Sequence, residues 1–216
     1  MLKHTLWFIL ALCLTSKIWP ADLDKVMRDT QRFSSKPDSV AIVWWIPTDF
    51  WKVAFQGNPK ITAEQTDEFI RMLDGYTILC IASGKLGPTG GYDPTPADTI
   101  RGSLKLKIQE KAVEMIAGDD LPPDVKNLVD MLKPVLTNML GQFGKSMEFY
   151  VYPNTGKDVR RLDPKQPGEF IVLLGEQTFK WRLPLGSLLP DKVDTKTGEH
   201  FPGDYLFNPY TGAELK

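Results

Sequence analysis

Two stretches of this chain are apolar at almost every position, Ser39-Val40-Ala41-Ile42-Val43-Trp44-Trp45-Ile46 and Thr77-Ile78-Leu79-Cys80-Ile81-Ala82. A strand with one wet face alternates apolar and polar side chains, so a short run without alternation that is rich in β-branched and aromatic residues reads as a buried strand. The first run lies between Asp38 and Pro47 and is expected to be a central strand. The second, spanning Tyr76 to Ser83, follows the helix stop Gly75. Any fold for this chain must bury both.

The other segments are placed around these two. Leu23, Val26, Met27, Thr30 and Phe33 recur at helical spacing, which predicts an opening helix of about three turns before Ser34-Ser35-Lys36-Pro37-Asp38 breaks the pattern. Thr48 is placed to cap a short helix carrying Phe50, Trp51, Ala54 and Phe55, closed by Gly57-Asn58-Pro59. Thr62-Ala63-Glu64-Gln65 has capping-box spacing, which starts a helix running to about Asp74. Gly84 to Pro96, dense in Gly and Pro, is expected to be a long irregular loop. From Ile100 to Ile108, Leu104, Leu106 and Ile108 alternate with Lys105 and Lys107, as in a half-exposed strand.

Val125, Leu128, Val129, Leu132, Val135, Leu136, Met139 and Leu140 form the longest helical pattern, opened by Pro122-Pro123 and closed by Gly141. Pro134 inside it predicts a bend near Lys133. Met147 to Tyr152 reads as a strand, and Phe170 to Leu174 with Thr178 to Leu183 as a hairpin turning at Gly175-Glu176. The sum is an α+β fold, with a mixed or antiparallel sheet, helices packed on one face and a small C-terminal hairpin tail.

The first residues have the order of a secretory signal: Met1-Leu2-Lys3-His4, an apolar run from Leu6 to Leu14, then Thr15 and Ser16. That run is shorter than the roughly 20 residues a membrane-spanning helix needs. Cleavage after Ser16 puts Leu14 three residues back, and cleavage after Ala21 puts Trp19 there, which leaves residues 17 to 21 open. Lipidation at Cys13 is disfavoured by Leu12, where a small side chain is needed. The expected division is 1–21 signal peptide, 22–190 α+β domain and 191–216 tail, in a periplasmic or secreted protein without a stable transmembrane anchor after cleavage. Removing Lys3 and Lys17 and no acid leaves 24 basic against 27 acidic residues, net −3, and nothing that draws nucleic acid. Cys80 is the only cysteine left, so no internal disulfide forms, and its neighbours offer no charge to activate it.

The residues that could carry chemistry are few. His200 is the single histidine outside the leader, and no Gly-x-Ser-x-Gly elbow occurs. Trp44, Trp45, Phe50, Trp51 and Phe55 cluster around Pro47 with Asp49 beside them. Aromatic platforms next to acids bind ligands, but Trp51 and Phe55 are four apart on one helix face, which is core geometry. The loop from Gly84 to Pro96, with Gly90 and Gly91 ahead of Asp93, could cradle an anion or act as a lid, because glycine lets backbone N–H groups approach a ligand. The weak binding candidates are therefore Trp44, Trp45, Asp49, Trp51, Gly90, Gly91 and Asp93. Arg160-Arg161 after Gly156-Lys157-Asp158 is a basic turn that could meet phosphate or an acidic partner. No catalytic residue, cofactor or metal is assigned. The expected function is binding or structural association with a ligand or envelope protein. The alternative is a hydrolase using carboxylates such as Asp49, Asp93 or Asp98 near loop 84–96.

Residues 191–216 are short of aliphatic side chains and repeat a phrase, Asp194-Thr195-Lys196-Thr197-Gly198 and Asn208-Pro209-Tyr210-Thr211-Gly212. This resembles the paired knuckles of zinc ribbons and rubredoxin-type sites, where a Cys-Pro-x-Cys-Gly phrase occurs twice and four thiolates hold one ion. Here Asp194 and Asn208 stand at the first cysteine positions and Thr197 and Thr211 at the second, so the resemblance implies a knuckle shape without soft ligands. Asp191, Asp194, Glu199, His200 and Asp204 could offer a harder ion oxygen and imidazole donors. The whole chain also resembles a group of uncharacterised exported bacterial proteins, on Trp44-Trp45-Ile46-Pro47 and on the segment Lys180 to Pro190, with a tail of this kind following. That resemblance implies the architecture and no activity.

Overall fold

The computed structural model describes residues 21–155 and 162–216. Residues 1–20 of the expected 1–21 leader and the basic turn at Arg160-Arg161 lie outside the described residues, and Ala21 is the first residue described. The helices are α1 (Ala21–Thr30), α2 (Thr48–Phe55), α3 (Ala63–Leu73), α4 (Ala97–Ser103) and α5 (Pro123–Lys145). The strands are β1 (Gln31–Lys36), β2 (Ser39–Trp45), β3 (Tyr76–Leu86), β4 (Tyr92–Pro94), β5 (Leu104–Ile108), β6 (Lys111–Val113), β7 (Glu148–Pro153), β8 (Gly168–Leu174), β9 (Gln177–Leu183), β10 (Lys192–Val193) and β11 (His200–Phe201).

Among the described residues the strands form three antiparallel sheets, and the fold is α+β. In the first, β1, β2 and β3 lie side by side, and the long β3 carries both β7, along Tyr76 to Ile81, and β4, along Gly84 to Leu86, on its far edge. The second has the order β6-β5-β8-β9, and the tail holds the two-stranded β10-β11 pair.

The unbroken apolar runs now have their reason. Ile42, Trp44, Ile78, Cys80 and Ala82 point to one face of the first sheet and meet side chains of α1, α2, α3 and α5. Ala41, Val43, Trp45, Leu79 and Ile81 point to the other face and meet the inner face of the second sheet, including Leu106, Phe170, Val172 and Trp181. The molecule has three layers, helices on sheet on sheet, and β2 and β3 sit in the middle one. Ile100 of α4 belongs to the core between the sheets, so that helix lies apart from the other four helices of the described residues.

The aromatic cluster divides between the two cores as period-2 side-chain alternation requires. Trp44 meets Phe50 edge-on at 5.4 Å, and Trp51, Phe55 and Phe69 complete the helical side, with Phe69 at 5.3 Å from each of the other two rings. Trp45 meets Phe170 at 4.8 Å, and Phe170 stacks on Trp181 at 4.7 Å with planes 4° apart. The capping box at Thr62 forms in both directions: the Gln65 amide donates to Thr62 Oγ1 and the Thr62 amide donates to Gln65 Oε1.

Several expectations are corrected. The opening helix ends at Thr30, and Phe33 is an exposed residue of β1 paired with Ile42. Its helical spacing is a coincidence overridden by strand pairing. Thr48 is the first helical residue of α2, and Pro47 occupies the cap position. The glycine-rich segment is a hairpin, with Gly84, Lys85 and Leu86 paired to Pro94, Asp93 and Tyr92 and a tight turn at Gly87 to Gly91. Ile100 to Ser103 are helical, so the half-exposed strand starts at Leu104. In α5 the helical dihedrals continue through Pro134 and break at Gly141 (φ 59°, ψ −132°), after which one more turn runs to Lys145.

Candidate functional site

Two places combine polar groups, concavity or exposed aromatic surface in a way that the cores do not explain. The first is a cleft of about 190 Å³ at the end of the first sheet where β2 gives way to α2. Its floor includes Trp45, Thr77 and Asn154, and its walls carry Asp49, Lys52, Asp74, Asp163 and Lys165. Asp49 is only 8 % exposed. Its Oδ1 lies 3.0 Å from Lys165 Nζ and 3.7 Å from Lys52 Nζ, so one carboxylate is bridged by two ammonium groups. Lys52 comes from the next turn of α2. Lys165 is delivered by a turn in which Asp163 Oδ1 accepts the Lys165 amide at 2.9 Å. Buried Asn154 anchors the same region: its Oδ1 accepts from Thr77 Oγ1 at 3.2 Å and from the Leu162 amide at 2.8 Å.

The second place is the tail. Its two repeated phrases fold into the same turn. Asp194 Oδ1 accepts the amides of Lys196 and Thr197 at 2.8 and 3.3 Å, and Asn208 Oδ1 accepts those of Tyr210 and Thr211 at 2.9 and 3.3 Å. The Gly198 and Gly212 amides donate to the carbonyls of Asp194 and Asn208 at 2.7 and 2.8 Å. Both glycines take the left-handed conformation, at φ 74° and 72°, which explains why the phrase ends in Gly. The turns are joined directly, because Asn208 Nδ2 donates to Asp194 Oδ2 at 2.6 Å and both residues are 1 % exposed. This hydrogen bond and the amides of Lys196 and Thr197 hold the Asp194 carboxyl below the usual carboxylate range. Every oxygen of Asp194 is thus engaged by the fold itself. No group of three or more His, Cys, Asp or Glu side chains that could hold an ion occurs among the described residues.

Around this clasp the tail shows apolar surface. Tyr205, Leu206, Phe207 and Tyr210 are 40, 64, 57 and 85 % exposed, and the other large exposed apolar side chains among the described residues are Phe33 and Leu140. Phe201 supports the group from below, with its ring 6.5 Å from Tyr205 and 6.4 Å from Tyr210.

The residues singled out from the sequence fall in different places. Asp49 and Trp45 line the cleft. Trp44 and Trp51 are packed in the helical core. Gly90, Gly91 and Asp93 are exposed at the β3-β4 hairpin. Since Trp45 pairs with Leu79 and Val40 with Gly84, the hairpin is five residues, about 17 Å at ~3.4 Å each, from the cleft end of β2. Asp49 and Asp93 therefore do not converge. Sequence reasoning missed Lys52, Asp163, Lys165 and Asn154, although Lys52 stands one helical turn after Asp49. It also missed the tail aromatics, whose signal is their concentration in a segment short of aliphatic residues.

No protein-family model, curated protein or solved structure matches this chain.

Proposed function

We propose that this is an exported, periplasmic or secreted protein that acts by binding rather than by catalysis, and that its tail presents the contact surface. The carrying observation is the display of Tyr205, Leu206, Phe207 and Tyr210 on a turn pair closed by the Asp194–Asn208 hydrogen bond. Contiguous exposed aromatics are costly to leave in water, and Tyr and Phe on rigid supports are typical anchors of protein contacts. The tail is read as a metal-free counterpart of a paired knuckle, in which a carboxylate-to-amide hydrogen bond replaces the ion as the link. The partner class is an envelope protein.

The test has two parts. Cell fractionation with mass measurement of the N-terminus is expected to place a chain lacking the leader in the periplasm or medium, and retention of residues 1–21 in a membrane fraction would reverse the localisation. Chemical cross-linking in intact cells is expected to trap one discrete partner with the wild type and none with a Tyr205→Ser, Leu206→Ser, Phe207→Ser, Tyr210→Ser variant of equal melting temperature. An unchanged cross-link in that variant sinks the tail as the contact.

A second reading, a carboxylate-dependent hydrolase, has one observation in its favour: Asp49, Asp74 and Asp163 line a single cleft. Its site is the cleft and not the glycine-rich hairpin. Turnover of glycoside or ester substrates that vanishes in Asp49→Asn would replace the first reading.

A further inference from the structure

The outer face of the second sheet carries a pattern that neither core nor tail accounts for. In β5, β8 and β9 the inward residues Leu104, Leu106, Ile108, Phe170, Val172, Leu174, Phe179, Trp181 and Leu183 are all buried, so the residues between them point away from the protein. On β5 these are Lys105 and Lys107, and on β9 Thr178, Lys180 and Arg182. On β8, between them, Ile171 and Leu173 are half-exposed and Glu169 is exposed. The register arranges them in rows: Lys107, Ile171, Lys180; Lys105, Leu173, Thr178; and Glu169 opposite Arg182. Four cations thus surround two aliphatic side chains, in a chain whose total charge is −1. The face also carries acids: Glu169 is paired with Arg182, Glu110 lies 3.9 Å from Lys107 and is 71 % exposed, and exposed Glu114 follows Val113, the partner of Leu106, at the β5 edge.

We propose that this face rests on an anionic phospholipid surface. Cations on one strand stand about 7 Å apart, and β5 is about 10 Å from β9 across β8. At those spacings they cannot converge on one small anion. A partner that uses all four must offer many negative charges spread in two dimensions. A lipid surface does this, whereas an acidic peptide offers a single line of charge. The lysine stems can lie along Ile171 and Leu173 while their ammonium groups reach phosphate, and each cation near such a surface contributes about 1 kcal/mol, or about fivefold in partitioning. Attachment would be peripheral, and no helix among the described residues is long and apolar enough to cross a membrane.

The test is flotation of purified protein with vesicles of phosphatidylcholine alone or with about one-third phosphatidylglycerol. Binding is expected only to the anionic vesicles, and it is expected to disappear as salt rises from about 0.05 to 0.5 M. The combined variant Lys105→Gln, Lys107→Gln, Lys180→Gln, Arg182→Gln should lower the partition coefficient about a hundredfold or more. The β5 pair or the β9 pair alone should lower it about tenfold or more, and either pair serves if the fourfold variant melts early. A matched variant removes four cations of the helical side, Lys60→Gln, Arg71→Gln, Lys126→Gln and Lys145→Gln, and should bind within a few-fold of wild type. Failure to float with anionic vesicles overturns the proposal. So does equal loss in the matched variant, which would mean that net charge alone decides. Binding to soluble poly-glutamate without vesicle binding overturns it in favour of an acidic protein partner.

Discussion

Thr30 closes α1 and connects both tryptophan-bearing cores. Its hydroxyl donates to the Val26 carbonyl at 2.8 Å and accepts from the Trp44 indole at 3.2 Å, while its own carbonyl accepts from the Trp181 indole at 3.2 Å. One buried residue so satisfies polar groups that two rings bring into the interior, where an unpaired donor would cost about 1–3 kcal/mol. Cys80, at the centre of the sheet, is fully buried, and burial is the main cause that pushes its thiol far above the ordinary value. It is expected to be inert to a thiol reagent at pH 8 in the folded protein and to react fully in denaturant; fast labelling of the native protein would contradict its placement. Gly84 is required by close approach: a Cβ there would overlap the Tyr92 ring and the Asp93 carbonyl oxygen. Gly84→Ala is expected to cost about 1–3 kcal/mol in chemical denaturation. The sequence marks this glycine as a loop residue, because nothing in its neighbourhood reveals that Tyr92 folds back across it.

Among the elements, β9 joins several kinds of interaction. Trp181 stacks on Phe170, which in turn meets Trp45 of the first sheet, and the Arg32 guanidinium lies 5.1 Å from the Trp181 ring centre while its Nε donates to the Lys180 carbonyl at 3.0 Å. Trp181→Ala should therefore destabilise by about 3–5 kcal/mol in thermal or urea unfolding. A loss below about 1 kcal/mol would mean that the two sheets do not depend on this stack. Helix α5 shows a different balance. Pro134 removes one hydrogen bond, yet Leu128, Leu132 and Leu136 remain buried on the helical core and the dihedrals stay helical. The break falls at Gly141, where positive φ is free for glycine and costly for other residues. The strands β2, β3, β7, β8 and β9 and the helices α2, α3 and α5 were all legible from spacing and caps. Helix α4 was not, because Ile100 and Leu104 fit a strand pattern as well as a helix end.

At the scale of the whole molecule, the tail is linked to pH through Asp194. Its folded pKa lies below the ordinary value, so its hydrogen bonds contribute fully above about pH 4 and are lost as pH falls through the folded value. The amide signals of Lys196, Thr197, Tyr210 and Thr211 are expected to hold from neutral pH down to about pH 4 and to shift together in stronger acid. A shift centred near pH 6 would refute the clasp. Of the two candidate places, the sequence pointed to half of each: Asp49 and Trp45 in the cleft without their lysine partners, and the repeated turns of the tail without the aromatic surface. Local physics explains which half. Apolar spacing, capping residues and glycine turns act over a few residues, so the sequence alone determined the α+β class, most elements and the repetition of the tail phrase. Which surface covers the second face of β2 and β3 is a long-range matter. Their lack of alternation requires cover on both sides, but it is equally satisfied by helices or by a second sheet, and only tertiary packing decided for β5, β8 and β9. The same packing brought Lys165 to Asp49, 116 positions earlier in the chain, because the free energy that joins them belongs to the assembled layers and to no segment by itself.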